Sequence, residues 1–446
     1  MFKKHLTHKN MCSIINIGDV MEREILHVDV NNAFLSWTAV EMLKNGSSLD
    51  IRTIPAVIGG DEQQRKGIVL AKSNLAKQVG IKTGEPIYYA RKKCPNLQVY
   101  KSDFKTYQKY SEMLYKLLLE YTNKIERYSI DECFLDMTNC IPKGFTLLDI
   151  GNQINERVKQ ELGFTVNVGV AHNKLLAKMA SDFQKPDKVH TLFEEEIENK
   201  MWGLPISELF MVGKKSALKL EKLGIKTIKD LANIPKENIA KKFGKYGSLI
   251  WEYANGIDFS EVQAVREVPK GIGNSATLPY DISNIEEMEK VLLVLVEQVS
   301  YRLRKHKLLA RVVNVQVKNK NFETYSHQRK MTIPTDSTKI IYEEAKTLLT
   351  ELCKGEFIRL IGVRVDNLSS AKEVQISIFD NEQNDKQKKL DKTIDILNEK
   401  YGWNKVSRAT SIETRKIIKL KEENISEINN IKKAYFINEN IVIITK

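Results

Sequence analysis

Ile25-Leu26-His27-Val28-Asp29-Val30-Asn31-Asn32-Ala33-Phe34 opens the patterned part of the chain, and Tyr128-Ser129-Ile130-Asp131-Glu132-Cys133-Phe134-Leu135-Asp136 follows roughly a hundred residues later. In the first run Leu26, Val28 and Val30 alternate with His27 and Asp29, the period of a strand with one apolar face. Taken alone, Asp29 reads most simply as an edge-strand acid facing water. Asp131-Glu132 is less ordinary. Two adjacent acids lie between an apolar strand start, Ile125 and Ile130, and an apolar continuation, Phe134 and Leu135. Like charges at the head of a buried hairpin are costly unless something positive compensates. A divalent cation does so, because hard cations such as Mg²⁺ take oxygen ligands, commonly one or two carboxylates with substrate phosphates. Two such ions roughly 3.5–4 Å apart clamp the attacking and leaving oxygens of an in-line phosphoryl displacement. By itself the acid pair also fits a hairpin tip in water.

Outward from these runs the elements alternate. Asn31–Lys44 reads as a helix, Ile54–Ile58 as a strand ended by Gly59-Gly60, and Ser73–Val79 as a helical stretch stopped by Gly80. Phe104–Asn123 is a long amphipathic helix, and Lys124–Thr138 reads as two strands joined through the acid pair. Leu147–Leu162 is helix, Thr165–Ala171 strand, and Asn173–Phe183 helix ended by Lys185-Pro186. The first two hundred residues are therefore α/β. Residues 204–256 carry short helices, glycine turns and many lysines. Residues 272–366 read as strand, helix, two strands, helix, strand, with Val313-Asn314-Val315-Gln316-Val317 marking one strand clearly. Residues 381–400 are polar and lysine-rich, the composition of a solvated helix.

The formal net charge is +13, and its placement carries the information. Residues 213–247 hold ten lysines against Glu221, Asp230 and Glu237; residues 302–330 hold nine Lys and Arg against Glu323. The excess is confined to these two stretches, as in two modules that grip a polyanion, although solvated surface lysine explains the same numbers. Five cysteines, at 12, 94, 133, 140 and 353, form no CxxC pair, which argues against a disulfide framework and structural zinc. No apolar run reaches the length of a membrane span and the N-terminus lacks a secretory apolar core, so a cytoplasmic protein is expected.

The two opening runs, with a downstream Lys-Pro and paired helix-hairpin-helix motifs, resemble the Y-family DNA polymerases in order and spacing along residues 24–380. The resemblance implies a multidomain α/β chain. An N-terminal extension, 1–20, precedes a palm of mixed sheet and helices with small fingers, 21–204, the fingers at about 45–100. A helical thumb with helix-hairpin-helix motifs, 205–256, a linker, 257–271, and a βαββαβ little-finger domain, 272–366, precede a clamp-binding peptide and polar tail, 367–446. It also implies roles. Asp29, Asp131 and Glu132 match the catalytic, metal-binding acids, with the Val30 carbonyl helping to hold the nucleotide-side ion; two Mg²⁺ ions are expected, with Mn²⁺ as a substitute. Phe34 matches the steric gate, the aromatic that crowds a ribose 2′-OH, and Lys185 matches a triphosphate-binding lysine. The family's fingers Tyr and Arg align here with Asn74 and Lys77; lysine keeps the charge but loses the planar fork.

Met211-Val212-Gly213-Lys214-Lys215 fits a glycine hairpin before a helix whose free N–H groups bind phosphate without reading sequence, although Met211 stands where a first glycine is usual. Phe243-Gly244-Lys245-Tyr246-Gly247 offers a second such turn. Gly213, Lys214 and Lys215, with Arg302, Arg304, Arg311, Lys318 and Lys320 of the basic little-finger segment, are the candidate DNA contacts. Gln375-Ile376-Ser377-Ile378-Phe379 is similar to the short peptides that bacterial polymerases insert into a sliding clamp, with Ile378 and Phe379 as apolar anchors and Gln375 as the polar one; the end of a strand would look the same.

The expected activity is thus error-prone, template-directed DNA synthesis by a monomer acting on primer-template DNA and deoxynucleoside triphosphates. Two other readings stay open: a catalytically silent accessory protein that binds DNA and clamp, and a phosphodiesterase or nuclease using the same acids.

Overall fold

The computed structural model describes residues 23–60, 67–265, 269–353, 355–371 and 382–402. The expected N-terminal extension, the candidate clamp-binding peptide at 375–379 and the tail beyond 402 lie outside the described residues. The chain divides into two compact units, one built from residues up to Asn31 with Leu114–Arg127 and Glu132–Ala264, the other from Asn32–Met113, Tyr128–Asp131 and the residues from Val265 on.

The first unit is organised by a five-stranded mixed sheet in the order Ile125–Arg127, Glu132–Asp136, Ile25–Val30, Val166–Ala171, Val189–Thr191. Ile25–Val30 is central and antiparallel to both neighbours, while the last two strands pair in parallel. Every residue of the central strand is buried, His27 and Asp29 included. The face expected to be polar is covered as well, chiefly by the helix Lys174–Asp182. That helix starts where Asn173 caps it, the side chain accepting from the Leu176 N–H at 2.8 Å. It lies against the sheet because Gly169 has no side chain: a Cβ there would sit 1.8 Å from the Ala177 carbonyl oxygen.

The helix Leu147–Arg157 begins with a Thr146/Asp149 capping box, which satisfies two N–H groups that a helix start otherwise leaves bare. The predicted linker does not leave the unit at once. Arg23 donates to the carbonyls of Asp258 and Ser260, Asp258 accepts from the Leu175 N–H, and Gln263 N–H donates to Glu126.

In the second unit a three-stranded sheet runs Val69–Lys72, Ala56–Gly59, Gln98–Lys101. A four-stranded antiparallel sheet runs Thr324–Thr335, Leu308–Asn319, Ile358–Ser370, Gly271–Ile282. The helices Ile285–Lys305 and Thr338–Leu352 join that sheet in one apolar core containing Val313, Val315 and Val317, the alternation legible in the sequence. This is the expected strand-helix-strand-strand-helix-strand order.

The helix Glu382–Tyr401 is not simply solvated. Its acidic face docks: Asp391 accepts from the Thr338 N–H at 3.0 Å, Asp395 takes the Arg304 fork at 2.6 and 2.9 Å, and Glu399 accepts from Tyr301. Consequently Arg302 and Arg304 leave the set of candidate DNA contacts. Arg304 is spent on Asp395 and the Asp336 carbonyl. Arg302 is buried, donates to the Gly273 carbonyl, and burial pushes its pKa down to about 10.

Candidate active site

Antiparallel pairing sets Asp29 directly opposite Glu132 on neighbouring strands, so the two carboxylates are companions by register. Asp29 is 6% exposed, a burial that an ionised carboxylate tolerates only with strong partners. Both partners are lysines. Lys185 Nζ is 2.7 Å from Asp29 Oδ2, and Lys178 Nζ is 3.3 Å from the same oxygen and 2.8 Å from Glu132 Oε1. Asp182 closes the network, accepting from Lys178 at 3.3 Å and from Lys185 at 2.8 Å. Burial alone would lower the pKa of each lysine, but for Lys178 the charges of Glu132, Asp29 and Asp182, and for Lys185 those of Asp29 and Asp182, outweigh it and raise it. Both are therefore held as ammonium ions.

His27, on the same strand, has the opposite fate. Burial, then the charges of Lys178, Lys185 and Lys174, hold its pKa well below the ordinary histidine value. The ring is neutral, so its 4.0 Å approach to Glu132 is not an ion pair. Nδ1 lies 2.8 Å from the Ser181 hydroxyl, which itself donates to the Lys178 carbonyl. His27 thus ties the strand to the helix that carries Lys178.

Of the remaining predicted positions, Val30 follows Asp29 as the last, buried residue of the strand. Asp131 precedes Glu132 in the chain, and its carboxylate accepts from the Ser129 hydroxyl at 2.6 Å. Among the described residues no group of three or more His, Cys, Asp or Glu side chains forms a ready metal cage. The donor set nonetheless suits a hard divalent ion, which binds through one or two carboxylates and completes its shell with substrate phosphates and water.

Phe34 is half-buried on the helix Ala33–Lys44. Its ring stacks on Tyr107 at 4.5 Å and 12°, with Phe104 edge-on at 5.9 Å. Asn74, exposed at the start of the helix Asn74–Gln78, accepts from the Asn32 amide at 3.3 Å. Lys77 is exposed on the same helix. Lys72, not singled out from the sequence, donates to Thr83 at 3.0 Å, and its pKa is lowered by burial and then by Lys77. Two ammonium groups therefore crowd this part of the small sheet.

The glycine hairpin forms as read. Gly213 caps the helix Lys214–Glu221 with Lys214 and Lys215 exposed, and Met211 takes φ 70 where a glycine is usual. The Tyr246 hydroxyl, from the second turn, donates to the Met211 carbonyl at 3.0 Å. Arg311 and Lys318 are half-buried and Lys320 is exposed.

Comparison with known proteins agrees with this layout. Residues 28–182 match the model of the impB/mucB/samB family and residues 269–378 that of its C-terminal domain. Residues 208–258 match the DNA polymerase-iota thumb domain. The DNA polymerase IV of Clostridium acetobutylicum is 48% identical over 393 residues, covering 88% of this chain and 99% of the relative. That of Acetivibrio thermocellus is 37% identical, covering 89% and 99%. A solved Y-family DNA polymerase chimera superposes with a TM-score of 0.67 at 26% identity, over 78% of this chain and 99% of its own.

Proposed function

The chain belongs to the impB/mucB/samB family of Y-family DNA polymerases, and from that premise we propose how its residues divide the work of extending a primer. It is a DNA-directed DNA polymerase of the translesion kind, acting on DNA and deoxynucleoside triphosphates with a divalent metal requirement. Asp29, Asp131 and Glu132 hold the metal, with the Val30 carbonyl as a further ligand. Two Mg²⁺ ions suit these oxygens best, and Mn²⁺ has the same preference. When bound, the ions supply Lewis-acid stabilisation to the attacking 3′-oxygen and the leaving pyrophosphate.

The observation that supports this reading most is the direct pairing of Asp29 with Glu132, charge-balanced by Lys178 and Lys185. Lys185, a third exposed, exchanges Asp29 and Asp182 for triphosphate oxygens when the nucleotide arrives. Asn74 and Lys77 are the fingers candidates for nucleotide binding. The thumb hairpin at Gly213, Lys214 and Lys215, with Arg311, Lys318 and Lys320, grips the duplex backbone. In domain terms, 21–204 forms palm and fingers, 205–256 the thumb and 272–366 the little finger. Incorporation of one templated deoxynucleotide onto a primer in Mg²⁺ tests the whole reading, and binding without any extension would refute it. No described helix is long and apolar enough to cross a membrane.

Phe34 acts as the sugar gate, because a ring fixed against Tyr107 crowds a 2′-OH and offers it no hydrogen bond. Phe34→Ala should raise ribonucleotide incorporation about 10²-fold or more relative to the deoxy form. An unchanged ratio in single-nucleotide extension would remove Phe34 from this role.

The bacterial sliding clamp is the proposed protein partner, through Gln375, Ile378 and Phe379, and the polymerase works as a monomer. Ile378→Ala with Phe379→Ala should abolish clamp pull-down and leave clamp-free extension intact. Loss of both activities would contradict a docking role.

A further inference from the structure

Lys178 balances the charge of Asp29 and Glu132, yet the reading above gives it no part in loading the metal or the nucleotide. It projects from the middle of the helix Lys174–Asp182 and is 8% exposed. Its ammonium bridges Asp29 and Glu132 directly, at 3.3 and 2.8 Å, and Asp182 one turn on anchors it at 3.3 Å. Lys185 differs in what matters for substrate: its side chain is 33% exposed, it follows the helix, and it contacts Asp29 and Asp182. Lys185 is able to swing to an incoming phosphate. Lys178 is enclosed, and no exposed face lets it follow.

We infer that Lys178 is a built-in counter-ion of the metal acids, a positioning residue that holds Asp29 and Glu132 side by side and keeps their affinity for divalent ions low until the nucleotide arrives. Two arguments carry this, and both rest on the assignment of Asp29 and Glu132 as metal ligands. First, two carboxylates paired across strands repel each other, and one ammonium shared between them fixes their separation. Second, a divalent ion that takes these oxygens must share them with a fixed positive charge or displace it. At this range, like charges in a partly buried site weaken binding severalfold or more. A triphosphate brings several negative charges and its own oxygen ligands, which offset that repulsion. Metal loading is then coupled to nucleotide binding by charge alone.

The test is Mn²⁺ binding to the full chain without nucleotide, followed by the electron paramagnetic resonance signal of the free ion. Lys178→Met removes the charge and keeps the length. Lys178→Gln removes the charge and keeps a donor to the carboxylates, which guards against a folding failure of the first variant. Both should lower the half-saturating Mn²⁺ concentration about tenfold, while Lys178→Arg, which keeps the charge, stays near the native value. The same neutral variants should narrow the gap between Mn²⁺ affinity with and without deoxynucleoside triphosphate.

A purely structural lysine would change the melting temperature and leave both numbers alone. An unchanged Mn²⁺ affinity in a folded neutral variant overturns the inference. A parallel titration of Asp29→Asn separates the two levels. If native Mn²⁺ binding survives that change, the metal-ligand assignment itself fails; if it is lost there yet unmoved in Lys178→Met, only the counter-ion role fails.

Discussion

Glu132→Gln and Asp29→Asn are each expected to cut templated single-nucleotide extension by about 10³-fold or more, a loss of roughly 4 kcal/mol of transition-state stabilisation. Each change keeps the shape and removes one charge, so the loss is electrostatic. The two variants differ in what they leave behind. In Glu132→Gln, Lys178 still has Asp29 and Asp182, and the fold should lose little. In Asp29→Asn, Lys178 and Lys185 both lose a buried carboxylate, so a larger drop in stability accompanies the loss of activity. Affinity for primer-template should survive in both, with the steep salt dependence expected of the proposed grip by Lys214, Lys215 and Lys320. The measurement is a single-turnover extension rate beside a binding isotherm at two salt concentrations. A rate within tenfold of native for either variant would remove that acid from catalysis. Loss of DNA binding in parallel with rate would mean that the acids serve the fold. The accessory-protein reading has no place for a rate effect, and the nuclease reading predicts primer shortening.

Much of this site is legible in the sequence. The strand Ile25–Val30 is legible because Leu26, Val28 and Val30 alternate with His27 and Asp29, and the acid pair stands out because two like charges interrupt an apolar hairpin. The sequence did not disclose Lys178. In Lys174-Leu175-Leu176-Ala177-Lys178-Met179-Ala180-Ser181-Asp182 it reads as one more helix lysine. Its neighbours three residues either side, Leu175 and Ser181, are buried, and that spacing was the available signal: a charge on the covered face of a helix needs a partner.

Arg302 and Arg304 failed for the converse reason. Counting positive charge cannot say which face carries it, and the acids that take up Arg304 lie about ninety residues away, in a helix whose docking face is acidic and not apolar. Apolar periodicity is blind to an element that docks through ion pairs. The helix expected over Asn31–Lys44 begins at Ala33, because Asn32 adopts a left-handed φ of 48.

Gly169→Ala should be the most damaging single methyl group in the first unit. Gly169 pairs with His27 in the sheet, and the helix Lys174–Asp182 crosses it so closely that a Cβ would lie 1.8 Å from the Ala177 carbonyl oxygen and 2.7 Å from the Ser181 nitrogen. Both obstacles are backbone, so no side-chain rotation relieves them. The helix must lift or the strand must bend, and overpacking of this kind costs about 3 kcal/mol or more. For a unit of this size that corresponds to a fall in melting temperature of about 6–12 °C. The same displacement reaches the active site, because Ser181 holds His27 and Lys178 lies between Ala177 and Ser181 on the lifted turn. Extension by whatever fraction remains folded should therefore fall as well, in contrast to a glycine change in an exposed turn such as Gly144→Ala, where nothing lies within 4 Å and only backbone strain is felt. Calorimetry and single-turnover extension on the same preparation decide the matter. A melting temperature within about 2 °C of native would show that the helix does not rest on this glycine, and the placement of Lys178 over the acids would lose its structural basis.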